Sequence, residues 1–324
     1  MKKTIIISVL AVVLILIVVM VNDDKDNGKL KVGVMGPLSG QFAQFGEEGK
    51  RGIESVGAKN IEFIYGDDQC DPAVAITSFR KLIDIDKVGI VIGPGCGSPQ
   101  EAIAPLVKEK NILNILPSAA TEELYERGGQ NIFNIQYSLE KESSFIAEKM
   151  YEMGYKKVAI ISYNNNFSKV HHDTFTAKFK GIIAKDIVIN DNRPDISSDI
   201  LLLKNLNVDA VFSTDVAFFF ADGLEKMRRL GISVPVFSQY AVELPAIRSL
   251  VENVIYSFPD DVNEAEGAIY GMYGDSAELL TEMADECDSD VACIKSKFVE
   301  KFDNGVAQRN IILKQIKNGV PVKI

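Results

Sequence analysis

The sequence predicts an α/β protein made of two doubly wound lobes behind an N-terminal membrane helix. Three observations predict it. A strand, loop and helix unit recurs between residues 30 and 121. The same unit restarts at Lys157, and an apolar run from Ile5 to Val21 follows the pair Lys2-Lys3. With 324 residues and 47% apolar content, the chain can bury a core sized for two domains better than one.

The apolar run is seventeen residues long and is broken only by Ser8. That is the short limit for a membrane span and long for the core of a signal peptide. No small-x-small pattern surrounds Met20-Val21-Asn22, and no cysteine near the boundary could take a lipid. Residues 1–21 are therefore expected to be an uncleaved signal-anchor, with a cleaved signal peptide as the alternative. Lysines before the run and Asp23-Asp24 after it orient the body outside the cytoplasm. Residues 22–29 are polar and read as a tether. The body is then extracytoplasmic, anchored by the helix, or secreted if the signal is cut.

Leu30 to Met35 reads as a strand ending in Gly36-Pro37-Leu38-Ser39-Gly40, with Phe42 and Phe45 just before a helix that begins near Gly46. Ile61 to Gly66 alternates as a strand. Asp71-Pro72 then opens a helix, Asp as N-cap and Pro at the first position, with Ala75, Phe79, Leu82 and Ile83 on one face. Val88 to Ile92 is too short for a helix and stops at Gly93-Pro94-Gly95-Cys96-Gly97-Ser98, as a buried parallel strand does. Pro99 to Lys108 is the next helix, Ile112 to Leu116 the next strand, and Pro117 to Thr121 its loop. Loops at the carboxyl ends of parallel strands line the crevice where α/β sheets hold ligands.

Phe133 to Tyr137 is extended, and a helix from Glu140 to Met153 is ended by Gly154. Lys157 to Tyr163 then repeats the opening strand, Asn164 to Ser168 is its loop, and a helix is expected through about Ala184. Ile187 to Ile189, Ala210 to Ser213 and Val234 to Phe237 are strands, with helices at 196–206, 218–230 and 243–252. Val254 to Phe258 is a strand, 267–286 and 290–302 are helices, and Asn310 to Ile316 is a last strand before the turn Lys317-Asn318-Gly319. Two such units leave a cleft between them, the default place for a ligand.

A net charge of -10 without a basic stripe argues against a nucleic-acid partner. The four cysteines fall into two pairs along the chain, Cys70 with Cys96 and Cys287 with Cys293. Disulfides suit an exported protein, the alternative being four buried thiols. Neither pair has the spacing of a zinc site, and no metal or cofactor is expected. His171-His172 are neighbours on a helix, do not face one another and are expected in solvent. Gly93 to Ser98 lacks the Gly-Lys-Ser/Thr of a phosphate loop. Two histidines in the whole chain leave little room for a Ser-His triad, so no enzyme is expected. Asp67, Asp68 and Asp71 read as capping or surface charge.

The loops Gly36 to Gly40 with Phe45-Gly46, Gly66 to Pro72, Gly93 to Ser98, and Pro117 to Leu124 together resemble the periplasmic branched-chain amino-acid-binding proteins, the type I solute receptors of ABC importers. The likeness runs from about residue 30 to the end and is more specific in the first half. It implies a type I periplasmic-binding-protein fold, or Venus flytrap. It also supports the Cys70–Cys96 disulfide. Residues 30–137 plus 259–302 would form lobe 1 and 138–258 plus 303–324 lobe 2, with crossings near Tyr137, Phe258 and Phe302.

The resemblance implies a ligand site of Phe45, Ser98, Ala119, Thr121, Phe167, Asp215 and Tyr240. Ser98, Ala119 and Thr121 would hold an anionic or polar end, while Phe45, Phe167 and Tyr240 would cover the apolar part. Tyr240 stands where the family has an acid for the ligand ammonium. Asp215 is the candidate substitute, with Glu243 behind it. The expected function is capture of an amino acid, amide or related carboxylate for an ABC permease. The alternative is a membrane-anchored sensory module uncoupled from transport.

Overall fold

The computed structural model describes residues 28–190, 197–214, 217–243, 245–262 and 267–324. The anchor at 1–21, the tether up to residue 27, and Asp215 lie outside the described residues. Among the described residues no helix is long and apolar enough to cross a membrane.

The first sheet has five parallel strands in the order β2-β1-β3-β4-β5: β1 is Leu30–Gly36, β2 Ile61–Asp67, β3 Ile90–Ile92, β4 Leu113–Leu116 and β5 Ile132–Asn134. Its apolar runs are continuous because both faces are covered. Val32, Val34, Ile90, Ile92, Leu113 and Ile115 pack on one side with Ile53, Leu280, Ile294 and Phe298. Met35, Val91 and Leu116 pack on the other with Phe79, Leu82, Ile103 and Val107. The helices are α1 (Ala43–Ser55), α2 (Pro72–Arg80), α3 (Gly97–Lys110) and the short α4 (Glu123–Arg127). Asp71 caps α2, its carboxylate accepting from the N–H groups of Ala73 and Val74 at 2.8 and 2.9 Å, which is the role expected of it.

The second sheet has seven strands in the order β12-β11-β10-β9-β8-β6-β7: β6 is Lys157–Tyr163, β7 Ile182–Ile189, β8 Ala210–Ser213, β9 Val236–Ser238, β10 Ile255–Pro259, β11 Ile311–Lys317 and β12 Val320–Lys323. The pairs β10–β11 and β11–β12 are antiparallel. Its helices are α5 (Leu139–Glu152), α6 (Asn166–Lys178), α7 (Ser197–Leu206), α8 (Ala217–Arg229) and the single turn α9 (Pro245–Arg248). Two long helices, α10 (Ala268–Glu286) and α11 (Val291–Lys301), follow β10, and α10 packs against α1 of the first sheet.

Three expectations change. The helix expected through Ala184 ends at Lys178. A Cβ on Gly181 would stand 2.3 Å from the Lys156 carbonyl, so the chain hugs the sheet there and enters β7, paired with β6. The helix expected over 243–252 becomes a 3-10 turn, Tyr240–Glu243, and α9, because Pro245 has no N–H to continue a helix. The edge strand β12 was hidden by Pro321, which sheets tolerate only at such a position.

Three crossings join the halves and are tied together. Ser138 bridges to Ala120, Val306 to Asn134, and the Asp260 N–H donates to the Asn310 carbonyl at 3.1 Å. Arg309, on the third crossing, donates to Gln136 on the first at 3.3 Å and pairs with Asp275 of α10 at 2.8 Å.

Candidate functional site

The site is built from strand ends. Asp67, closing β2, accepts from the Leu38 N–H at 2.8 Å and from the Ser39 hydroxyl at 2.6 Å. Those bonds fold the loop after β1 and bring Phe42 and Phe45 edge to face, ring centroids 5.9 Å apart. The disulfide Cys70–Cys96, Cα atoms 5.5 Å apart, fastens the loop after β2 to the start of α3. Cys96 is the N-cap of α3 and supplies no side-chain cap to its first turn. From the second lobe Asn165 caps α6 through the Ser168 N–H at 2.8 Å and sets Phe167 within the first turn.

These loops enclose a cavity of about 200 Å³. It is smaller than a typical pocket for a drug-sized molecule, about 300–1,000 Å³, and fits one compact solute. Phe45, Ser98, Ala119, Phe167 and Tyr240 all line it. Thr121 does not. It lies on a separate small hollow that shares Gly97, Ala119 and Phe167 with the main one, because the Ala120–Ser138 bridge turns the chain away. Glu243 also turns away. Its carboxylate accepts from the Tyr256 phenol and pairs with Lys314 at 3.2 Å, both partners buried. Asp215 lies outside the described residues.

Sequence reasoning missed Ser118, Asn165, Ile269, Met272 and Tyr273, which also line the cavity. Tyr273, in the middle of α10, forms part of the wall and donates its phenolic hydrogen to the Met35 carbonyl at 2.8 Å. Glycines make room for it: a Cβ on Gly49 would stand 2.8 Å from its ring, and one on Gly95 2.9 Å from its oxygen. The stripe Gly46, Gly49, Gly52 on α1 was the available signal for a close helix contact.

Beneath Phe167 lies a polar cluster at the crossing. Glu142 and His171 are both fully buried, with Glu142 Oε2 3.7 Å from His171 Nε2. Neither of those atoms has a hydrogen-bond partner among the described residues. Glu142 Oε1 accepts from the Tyr137 phenol at 3.0 Å and from the Ser257 hydroxyl, and His171 Nδ1 meets the Ser143 hydroxyl at 2.6 Å. The Phe167 ring stands on the imidazole at 4.6 Å. Burial pushes the Glu142 carboxyl up to about 7 and the His171 imidazole down to about 3. His171, expected in solvent, is buried because the two neighbouring histidines point about 100° apart; His172 faces outward to Asp173 and Asp186 at 2.8 and 2.6 Å. Asp68, beside the disulfide, is raised to about 6 by burial, while the Cys70 N–H opposes the rise.

Two lobes closing a cavity from opposite strand ends define a solute-binding protein of the two-lobe kind. The chain matches the periplasmic binding protein family over residues 29–275 and belongs to it. This is a family of ligand-binding receptors, and the chain is not an enzyme. Its relatives include the Leu/Ile/Val-binding protein of Escherichia coli K12, 27% identical over 199 residues, covering 56% of this chain and 53% of that one. The chain thus spans about half the length of the curated relatives it matches. In fold it is similar to a leucine-binding protein from Thermotoga maritima MSB8, with a TM-score of 0.82 at 19% identity over 91% of this chain and 97% of the other. It is equally similar to an ABC-transporter solute-binding protein from R. palustris in complex with benzoate, with a TM-score of 0.81 at 20% identity over 92% and 96%.

Proposed function

We propose that this chain is the extracytoplasmic solute receptor of an ABC importer, held at the membrane by residues 1–21, and that it closes on one small organic solute. The observation that carries the reading is the cavity itself, walled by Phe45 and Ser98 from one lobe and by Phe167 and Tyr240 from the other. A solute touching both walls stabilises the closed arrangement by its differential contacts. The rotation is taken up where 137 meets 138, 258 meets 259, and 302 meets 303.

The first turn of α3, with Gly97 and Ser98 on the cavity and no side-chain cap, is the natural seat for the solute's polar end. The rings of Phe42, Phe45, Phe167 and Tyr273 cover its apolar body. The Escherichia coli relative is named a Leu/Ile/Val-binding protein, and a solved structure of similar fold holds benzoate. A thermal-shift screen of amino acids, amides and aromatic carboxylates tests the reading. A ligand at 100 times its Kd stabilises by about 2.7 kcal/mol, which raises the melting temperature by several degrees. If no compound in such a screen raises it, and deletion of the gene leaves uptake of every screened solute unchanged, the receptor reading fails.

A further inference from the structure

The polar cluster beneath Phe167 has no part in gripping the solute, and what it adds depends on the cavity being the ligand site. Glu142 stands in the first turn of α5, just past the first crossing. Its Oε1 is fully used, accepting from the Tyr137 phenol at 3.0 Å and from the Ser257 hydroxyl of β10. Oε2 is left over. It faces Nε2 of His171 on α6 at 3.7 Å, and both atoms are buried without a hydrogen-bond partner among the described residues.

One proton satisfies this arrangement. Placed on Oε2 it points toward Nε2, the imidazole then keeps its own hydrogen on Nδ1, and that nitrogen donates to the Ser143 hydroxyl at 2.6 Å. Without the proton the same atoms enclose a bare negative charge, which is costly to bury when no cation meets it. The first crossing and β10 supply only the hydroxyls of Tyr137 and Ser257, and the 3-10 turn carries the buried phenol of Tyr240. Cations nearby are committed elsewhere: Lys141 of α5 donates to the Arg309 carbonyl at 2.7 Å, and Lys314 of β11 pairs with Glu243 at 3.2 Å. On α6, His172 faces away, to Asp173 and Asp186.

Phe167 ties the pair to the cavity. Its ring lines the cavity and stands on the His171 imidazole, centroids 4.6 Å apart, one helical turn along α6. The seat for the solute's polar end lies against the same residue, since a Cβ on Gly97 would be 3.7 Å from Phe167 Cβ. The path from that seat to Glu142 therefore runs through two rings, and charges are weakly screened across such an interior.

We propose that Glu142 and His171 hold one proton for the cavity, and that this receptor binds an anionic solute together with that proton. A negative charge at the start of α3 disfavours a second one on Glu142, and by reciprocity an ionised Glu142 weakens the grip on the anion. A neutral solute of the same shape has no such coupling.

The test is titration calorimetry of the full chain with benzoate, ionised throughout, and with neutral benzamide, at pH 6.5 and 8.5. Two other buried acids are the competing titrations, Glu48 of α1, raised to about 7, and Asp68, raised to about 6. The native protein should bind benzoate about fivefold more weakly at pH 8.5, with proton uptake seen as a buffer-dependent heat, while benzamide changes by less than about twofold. Glu142→Gln carries an amide hydrogen toward His171 and no charge. It should hold benzoate at pH 8.5 as tightly as the native protein does at pH 6.5, and Glu48→Gln and Asp68→Asn should keep the native fall. Should Glu142→Gln not fold, the infrared carbonyl band of a protonated carboxyl, gained when benzoate is added at pH 8 and persisting in the other two variants, supplies the assignment. Benzoate affinity independent of pH, an equal fall for benzamide, or a fall that survives Glu142→Gln overturns the role of the pair while leaving the cavity as the ligand site. Failure of benzoate to bind at pH 6.5 overturns it as well, and failure of the wider thermal-shift screen then removes the cavity reading too.

Discussion

Glu142 and His171 show what a single pair of buried groups does to stability. Between about pH 4.5 and 6.5 the unfolded chain carries one proton on the imidazole and none on the carboxyl, while the folded chain carries one on the carboxyl and none on the imidazole. Folding moves the proton without changing the count, so this pair makes stability flat in that window. Below it the unfolded state gains a second proton and stability falls as the pH drops. From 6.5 to about 7 the folded state holds a proton that the unfolded state has lost, and stability falls as the pH rises. Glu142→Gln keeps the acceptor for Tyr137 and removes the second titration. Its stability should rise steadily toward pH 6.5 and then hold. Relative to the native protein it should gain on the order of 3 kcal/mol between pH 5 and pH 8. Urea unfolding at both values measures this, and parallel pH profiles for the two proteins would count against the assignment.

The same scale decides the glycine prediction. Gly49→Ala should gain up to about 1 kcal/mol in helix propensity, but its methyl would press on the Tyr273 ring from 2.8 Å. Overpacking of a rigid contact costs about 1–3 kcal/mol, so the loss wins. The variant should melt lower and bind any cavity ligand more weakly. An unchanged melting temperature would mean that Tyr273 has room to move.

At the scale of elements, the strands of the first sheet were legible because a parallel strand buried on both faces must be an apolar run, and each run here ends in glycine and small polar residues. Phe45, Ser98 and Ala119 came from the family resemblance of the loops at those strand ends, and all three line the cavity. Tyr273 was not legible, since nothing in the periodicity of a 19-residue helix says which turn meets a glycine stripe far earlier in the chain. Thr121, which the same resemblance put with Phe45, Ser98 and Ala119, lines the neighbouring smaller hollow. A one-residue bridge at Ala120 decides where the loop points, and isolated bridges leave no mark on composition.

The crossings carry the element-scale prediction. Arg309 meets Gln136 at 3.3 Å, Asp261 at 3.6 Å and Asp275 at 2.8 Å, so one side chain links all three connections, and it is largely shielded from water. Its carbonyl also accepts from Lys141 at 2.7 Å, a bond that a side-chain substitution leaves in place. Arg309→Gln removes the charge from the partly buried Asp275. Stability should fall by about 1–2 kcal/mol, seen as a lower denaturation midpoint with an unchanged slope. A variant as stable as the native protein would show that the crossings hold without it.

The receptor proposed above requires its halves to move as bodies. Each sheet has its own helices and strand ends, and outside the crossings the two sides meet mainly through loops and the facing starts of α3 and α6, where Asn166 approaches Glu101 at 3.4 Å. Such an interface is weak, because exposed polar contacts contribute little, so a solute that bridges the cavity can decide the balance between open and closed. Hydrogen exchange with and without a ligand from the screen should therefore show added protection on both walls together. The expected segments are 42–46, 95–100, 117–121, 165–168 and 240–243. The turn fastened by Cys287–Cys293 at the junction of α10 and α11 should exchange equally in both states. Protection confined to the first-lobe segments would mean that the ligand binds one wall without drawing in the other, and closure would then have no part in how this protein holds its solute.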